Sequence, residues 1–281
     1  MIEKRRFPYL HVIMFVITFC SMLVAGSLLK GVNPVEEPTR VVEGLPFSIA
    51  LMCILLCHEF AHYFASKAHR VTATLPFFIP APTIIGTFGA FIKMKSPILS
   101  KRALVDIGAS GPIAGFIVAL VAAIIGLRMS EVIQLTDTAG GLYLGSSMLF
   151  QVISYLTIGH VPEGYDVLLH PVAFAGWVGF LVTSLNLIPI GQLDGGHVTF
   201  ALLGRKHRKF SLVLIAILMV MGAFLWSGWL IWAFLLVMLG IDHPPILHEE
   251  IALDKKRKYI GLFCLVIFVL TFTPVPFHFD I

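Results

Sequence analysis

Residues 45–67 read LPFSIALMCILLCHEFAHYFASK, and the placement of CHEFAH at positions 57–62 inside that run decides the reading of the chain. Thirteen uncharged residues, Leu45 to Cys57, lead into His58, Glu59 and His62, and Lys67 follows. The run is long enough for a helix that crosses a bilayer, which needs about 20 apolar residues. A charged side chain in the middle of such a helix costs roughly 2.5–3.5 kcal/mol on insertion scales. A glutamate between two histidines is therefore either functional or at the aqueous end of the helix, and both readings stand at this point.

The rest of the chain resembles that run. Of 281 residues, 58% are apolar and only 13% charged, with a net charge of +4, against roughly 45–50% and about 25% in soluble domains. So few charges do not cover an aqueous surface of this size, and disorder, collagen and nucleic-acid binding are excluded on the same ground. Cys20, Cys53, Cys57 and Cys264 all lie within apolar runs and read as small hydrophobes, not disulfide partners.

Further spans are expected at Phe7–Leu29 (a retained first helix, too long for a signal peptide), Asp106–Arg128, Pro171–Ile190 and about Tyr259–Phe272. The 32 uncharged residues Phe210–Ile241 would make one helix about 48 Å long. Trp226-Ser227-Gly228-Trp229 interrupts them, so a hairpin of two short helices is expected, with Trp226, Trp229 and Trp232 as interfacial anchors. The result is an all-α polytopic membrane protein of about seven transmembrane helices, or six if 210–241 is one element, read as a single domain over 1–281.

Basic residues test this order. Lys4, Arg5 and Arg6; Lys67, Arg70, Lys93, Lys95, Lys101 and Arg102; Arg205, Lys206, Arg208 and Lys209; and Lys255 to Lys258 occupy alternate connections. The others carry Glu36, Glu37, Arg40, Glu131, Asp137, Glu163 and Asp166. The basic side, with the N-terminus, is expected to be cytoplasmic. Two stretches fit neither pattern. Residues 71–97, broken by Pro76, Pro80, Pro82, Gly86 and Gly89, suggest a membrane-associated β-hairpin or re-entrant segment. Residues 141–161 suggest an amphipathic or half-inserted piece on the outer face.

His58 and His62 are four apart and share one helix face, so both imidazoles can reach one ion with Glu59 beside it as general base. The second constellation is Asn186-Leu-Ile-Pro189-Ile-Gly-Gln-Leu193-Asp194-Gly195-Gly196-His197. By the topology it closes the fourth helix on the cytoplasmic side, the side of His58 and His62. Catalytic zinc takes three protein ligands and keeps one position open; His58, His62 and Asp194 complete such a set. Gly195 and Gly196 allow close backbone approach or positive φ. The small residues of Gly108-Ala-Ser110-Gly111-Pro-Ile-Ala-Gly115 suit helix packing against the site. His197 reads as a neighbour of the metal or substrate, or as a polar helix end. His243 reads as a helix terminator, and His69 and His207 lack ligand spacing.

HExxH in one membrane helix followed by NxxPxxxLDGG in a later one resembles the site-2 protease family of intramembrane zinc metalloproteases, over about residues 45–205. The resemblance implies one catalytic Zn2+ on His58, His62 and Asp194, Glu59 as catalytic base, and Asn186 at the site holding substrate or oxyanion. It implies a zinc-dependent endopeptidase that cuts single-span membrane proteins in or near the bilayer. Some members carry a PDZ domain between the motifs or cystathionine-synthase-type domains after them; neither is seen here, so a minimal form without PDZ-based recruitment is expected. The alternative is a polytopic metal-ion transporter, which would spread polar ligands over several helices and carry a His-rich loop. An inactive relative serving as a scaffold is disfavoured by the intact Glu59.

Overall fold

The computed structural model describes residues 8–134, 142–244 and 246–279. Lys4, Arg5, Arg6, Phe7 and Asp137, all named above, lie outside the described residues. The helices are α1 (Tyr9–Leu29), α2 (Leu45–Ala68), α3 (Lys101–Arg128), α4 (Met148–Ile158), α5 (Pro171–Leu187), α6 (Asp194–Leu203), α7 (His207–Phe224), α8 (Gly228–Leu239) and α9 (Lys255–Thr271). Among the described residues, four stretches are long and apolar enough to cross a membrane, namely Tyr9–Leu29, Pro38–Ala68, Lys101–Arg128 and Asp194–Phe224; α4, α5 and α8 are apolar but shorter.

Among the described residues, three two-stranded antiparallel sheets accompany the helices. β1 (Phe77–Pro80) pairs with β2 (Thr87–Phe91), the expected hairpin, with an irregularity between Ile79 and Pro80. β3 (Glu131–Gln134) pairs with β5 (Tyr165–Leu168), and β4 (Leu142–Leu144) pairs with β6 (Phe277–Phe279). These last two pairings join segments distant in sequence and were not expected, because no local periodicity encodes such a register.

α3 is the hub, packing on α2, α5, α6 and α9. It reaches α5 through small residues: a β-carbon at Gly126 would lie 2.0 Å from Ala173 N, and one at Gly176 would lie 2.5 Å from Ala123 N. Without a hydrophobic drive between helices in lipid, such backbone contact supplies the dispersion energy that holds spans together. The largest core cluster gathers Phe47, Trp177, Phe180 and Met22 around this seam. On the far side of α3, Ile117, Val121 and Ile125 are about half exposed at four-residue spacing, a stripe suited to acyl chains.

Two helices start earlier than the sequence suggested. α3 begins at Lys101 and takes Asp106 inside, because the Ser100 side chain accepts the Ala103 N–H at 3.3 Å and Asp106 finds hydrogen-bond partners. Those partners are His69 Nε2, 2.8 Å away, and the Arg257 guanidinium. α9 begins at Lys255, because Asp254 accepts the Arg257 N–H at 2.9 Å. Arg257 thus ties the start of α9 to the start of α3 and, through Asp106, to the end of α2. The 210–241 run is two helices, α7 and α8, parted around Trp226 and Ser227.

Trp229 corrects the anchor expectation. It is fully buried, stacks on Phe272 at 5.2 Å and donates its indole N–H to the Pro274 carbonyl at 2.7 Å. A ring whose one polar atom is satisfied internally belongs in the core. The 141–161 stretch contains α4, started by Ser147 accepting the Phe150 N–H at 3.2 Å.

Candidate metal centre

α2 carries His58, Glu59 and His62 on its inner face, all buried. The expected fourth helix ends at Leu187, not Ile190, and Asp194 starts a new helix, α6, where the sequence suggested it closed the old one. Pro189 explains the stop, since a residue before proline is pushed out of the helical region; Ile188 has ψ 123°. Gly191 turns the chain at φ 56°. Asp194 then lies in the first turn of α6, where the partial positive charge of the helix N-terminus favours a carboxylate. Gly195 and Gly196 serve close approach: a β-carbon on Gly195 would lie 2.0 Å from the Leu187 carbonyl oxygen.

The three expected ligands meet. His58 Nε2 and His62 Nε2 are 3.1 Å apart. Asp194 Oδ2 is 3.2 Å from His62 Nε2 and 3.3 Å from His58 Nε2. Zinc–ligand distances of 2.0–2.1 Å place tetrahedral ligands about 3.3–3.4 Å apart, so this triangle fits one face of a zinc tetrahedron. His62 Nδ1 lies 2.8 Å from the Ile107 carbonyl oxygen. A carbonyl only accepts, so Nδ1 carries the proton and the Nε2 lone pair faces the other two ligands. Buried lone pairs converging on one point repel unless a cation joins them. The donor set therefore fits the zinc ion implied by the motifs.

Glu59 adjoins the triangle. Its Oε2 is buried with no hydrogen-bond partner among the described residues, and the Ile92 main chain, just past β2, is within hydrogen-bonding reach of the carboxylate. Asn186, at the end of α5, brings its Nδ2 to 3.4 Å from His58 Nε2. All five expected site residues thus come together, with His58, Glu59 and His62 buried and Asn186 and Asp194 partly so.

α3 forms its floor. A β-carbon at Gly111 would lie 2.0 Å from His62 Nε2, and one at Gly115 would lie 3.0 Å from His58 Nδ1. The small-residue stripe packs against the site helices as expected.

His243 was read as a mere terminator, yet its Nδ1 lies 2.6 Å from the Pro244 carbonyl and its ring stacks on Phe200 at 4.2 Å. Nδ1 is therefore the donor, which leaves Nε2 to accept the Nδ1–H of His197 across 2.7 Å. That chain of donors leaves the lone pair of His197 on Nε2, one helical turn past Asp194. Burial holds the His243 pKa down, to about 4, and the neighbouring His207 adds to the effect. No sequence spacing linked positions 197, 207 and 243; only the stacked Phe200 brings them together.

A sequence model described as peptidase family M50 matches residues 46–228. The chain belongs to this family, the site-2 protease family. It is 31% identical over 259 residues to "Probable zinc metalloprotease EGY1, chloroplastic" of Arabidopsis thaliana, covering 86% of this chain and 46% of that protein. It is 29% identical over 239 residues to "Probable zinc metalloprotease EGY2, chloroplastic" of the same plant, covering 84% and 43%. The EGY1 protein of Oryza sativa subsp. japonica is 30% identical over 243 residues, covering 84% and 41%. This M50 chain spans less than half the length of these relatives. Its long apolar helices make it an integral membrane member of the family.

Proposed function

We propose that the chain is a zinc-dependent intramembrane endopeptidase that cuts single-span membrane proteins in or near their transmembrane segments. The observation that carries this reading is the buried triangle of His58 Nε2, His62 Nε2 and Asp194 Oδ2 with the unpartnered Glu59 Oε2 beside it. Seven crossings follow if α5 and α6 together make one and α7 and α8 make two. The basic ends of α2, α3, α6 and α9 then face the cytoplasm.

Zinc on these three ligands supplies a Lewis acid and a water of pKa about 7. Glu59 takes a proton from the attacking water and hands it to the leaving amine nitrogen. Its burial suits that task, and among the described residues Oε2 has no hydrogen-bond partner. The Asn186 amide donates to the oxyanion as the scissile carbonyl becomes tetrahedral. A substrate helix hides its carbonyls in hydrogen bonds and must unwind before it reacts. The edge of β2 away from β1 offers an unwound segment backbone partners by strand addition, and Ile92 brings that strand to Glu59.

The transporter alternative needs ligands spread through several sites, whereas one group of three is found among the described residues. The test is purified Glu59→Gln. It is expected to retain one zinc per chain and to cleave no single-span substrate; turnover by this variant refutes the assignment.

A further inference from the structure

An apolar groove of about 280 Å³ runs between α6, α7 and α9. Leu187 and Gly195 form its inner wall, Phe210, Leu265 and Phe268 line it further, and Lys258 is its charged residue. From Lys258 to Phe268 along α9 is ten residues, about 15 Å at 1.5 Å per residue. One leaflet of the hydrocarbon is also about 15 Å deep. The groove is therefore as long as one leaflet and has a cation at one end.

That end is basic beyond Lys258. The three elements lining the groove start or finish there with Arg205, Lys206, Lys209, Lys255 and Lys256, all exposed. Among the described residues, none of these five, nor Lys258, has a carboxylate within 4.0 Å. The acidic groups nearby are mostly engaged: Asp242 pairs with Arg208 at 3.2 Å, and Asp254 with Arg257. Glu249 also borders the rim, its Oε1 3.4 Å from where a β-carbon on Gly204 would lie. An apolar slot one leaflet deep beneath unpaired lysines matches an amphiphile with a long chain and an anionic head.

We propose that this groove holds one acyl chain of an anionic phospholipid, with the lipid phosphate at Lys258. The assignment rests on the membrane placement given above but not on peptide hydrolysis. Its consequence is local. Leu187 and Gly195 flank the turn that carries Asp194, so the bound chain packs against the back of the segment that delivers the carboxylate ligand.

The test uses the full chain in detergent micelles, with lipid retention read by native mass spectrometry, without substrate or added metal. Dioleoylphosphatidylglycerol is expected to remain bound at one per chain, and dioleoylphosphatidylcholine to bind more weakly. Lys258→Gln is expected to weaken phosphatidylglycerol about fivefold, the worth of one lysine at an anionic surface. Lys258→Arg restores retention, and Lys95→Gln leaves it unchanged. Leu265→Trp, or Leu262→Trp if the first variant folds poorly, fills the slot and lowers retention of both lipids. Glycerol 3-phosphate does not compete. Equal retention of the two lipids overturns the proposal, as does equal loss in the Lys258 and Lys95 variants. Displacement by glycerol 3-phosphate, or indifference to both tryptophans, overturns it as well, since each marks a site for the head alone.

Discussion

A β-carbon at Gly111 would lie 2.0 Å from Nε2 of His62, closer than any two non-bonded atoms approach. Gly111→Ala therefore forces the imidazole away from the Ile107 carbonyl that sets its proton. Zinc content measured by elemental analysis is expected to fall from one per chain to near zero. Gly115→Ala, whose methyl meets His58 Nδ1 at 3.0 Å, is expected to retain more metal than the Gly111 variant.

Metal removal is expected to destabilise the folded chain. A ligand bound only to the native state stabilises it by about 4 kcal/mol at 1,000 times its dissociation constant. Chelation should lower the thermal midpoint and zinc should restore it. His58→Ala is expected to abolish that response, and an unchanged zinc shift in this variant would remove His58 from the ligand set.

Burial keeps His243 neutral well below the ordinary imidazole pKa of 6.5, with its own value at about 4. The unfolded chain takes up this proton more readily than the folded one. The stabilising contribution is complete above pH 6.5 and is lost as pH falls through 4. His197, His207 and the ion-paired Asp242 are the titratable groups around it. The thermal midpoint is expected to decline across that window, and His243→Gln to flatten the decline. A Gln variant with the same slope would assign the effect elsewhere.

Asp106 accepts from Arg257 and faces His69 at 2.8 Å, joining three helices at one end of the bundle. Asp106→Asn keeps the shape and removes the charge. Hydrogen bonds to charged partners contribute about 1.5–3 kcal/mol, so chemical denaturation should report a loss of that order while zinc content stays near one per chain.

Phe88 and Phe91 on β2 are 71% and 46% exposed. The double change Phe88→Asp and Phe91→Asp leaves the metal ligands untouched. It is expected to reduce cleavage of a membrane-embedded substrate at least tenfold with zinc content unaltered; full cleavage would separate β2 from substrate binding.

The site was more legible in the sequence than the fold around it. HExxH encodes its own geometry, because four-residue spacing on a helix places His58 and His62 together whatever surrounds them. Asp194 was legible as a companion of the two histidines, but its helix was not. Apolar residues on both sides of Pro189 read as one continuous span, and only the turn at Gly191 shows two. The floor under the imidazoles was half legible: the glycines at 108, 111 and 115 announced close packing, whereas the Ile107 carbonyl is backbone and leaves no trace in residue type. Trp229 misled because interfacial tryptophans and buried ones share a composition, and the deciding partner, the Pro274 carbonyl, lies 45 residues away. His243 was dismissed for the same reason: its partners come from α6 and α7, and contacts that close long loops have no period to detect.

The three candidate metal donors are mounted unequally. Both nitrogens ride on α2, a single rigid rod of 24 residues, whereas the oxygen sits on a ten-residue stub beyond an unwound elbow. The three atoms that meet there thus differ in support: two share one long helix, and the third depends on the turn between Pro189 and Asp194.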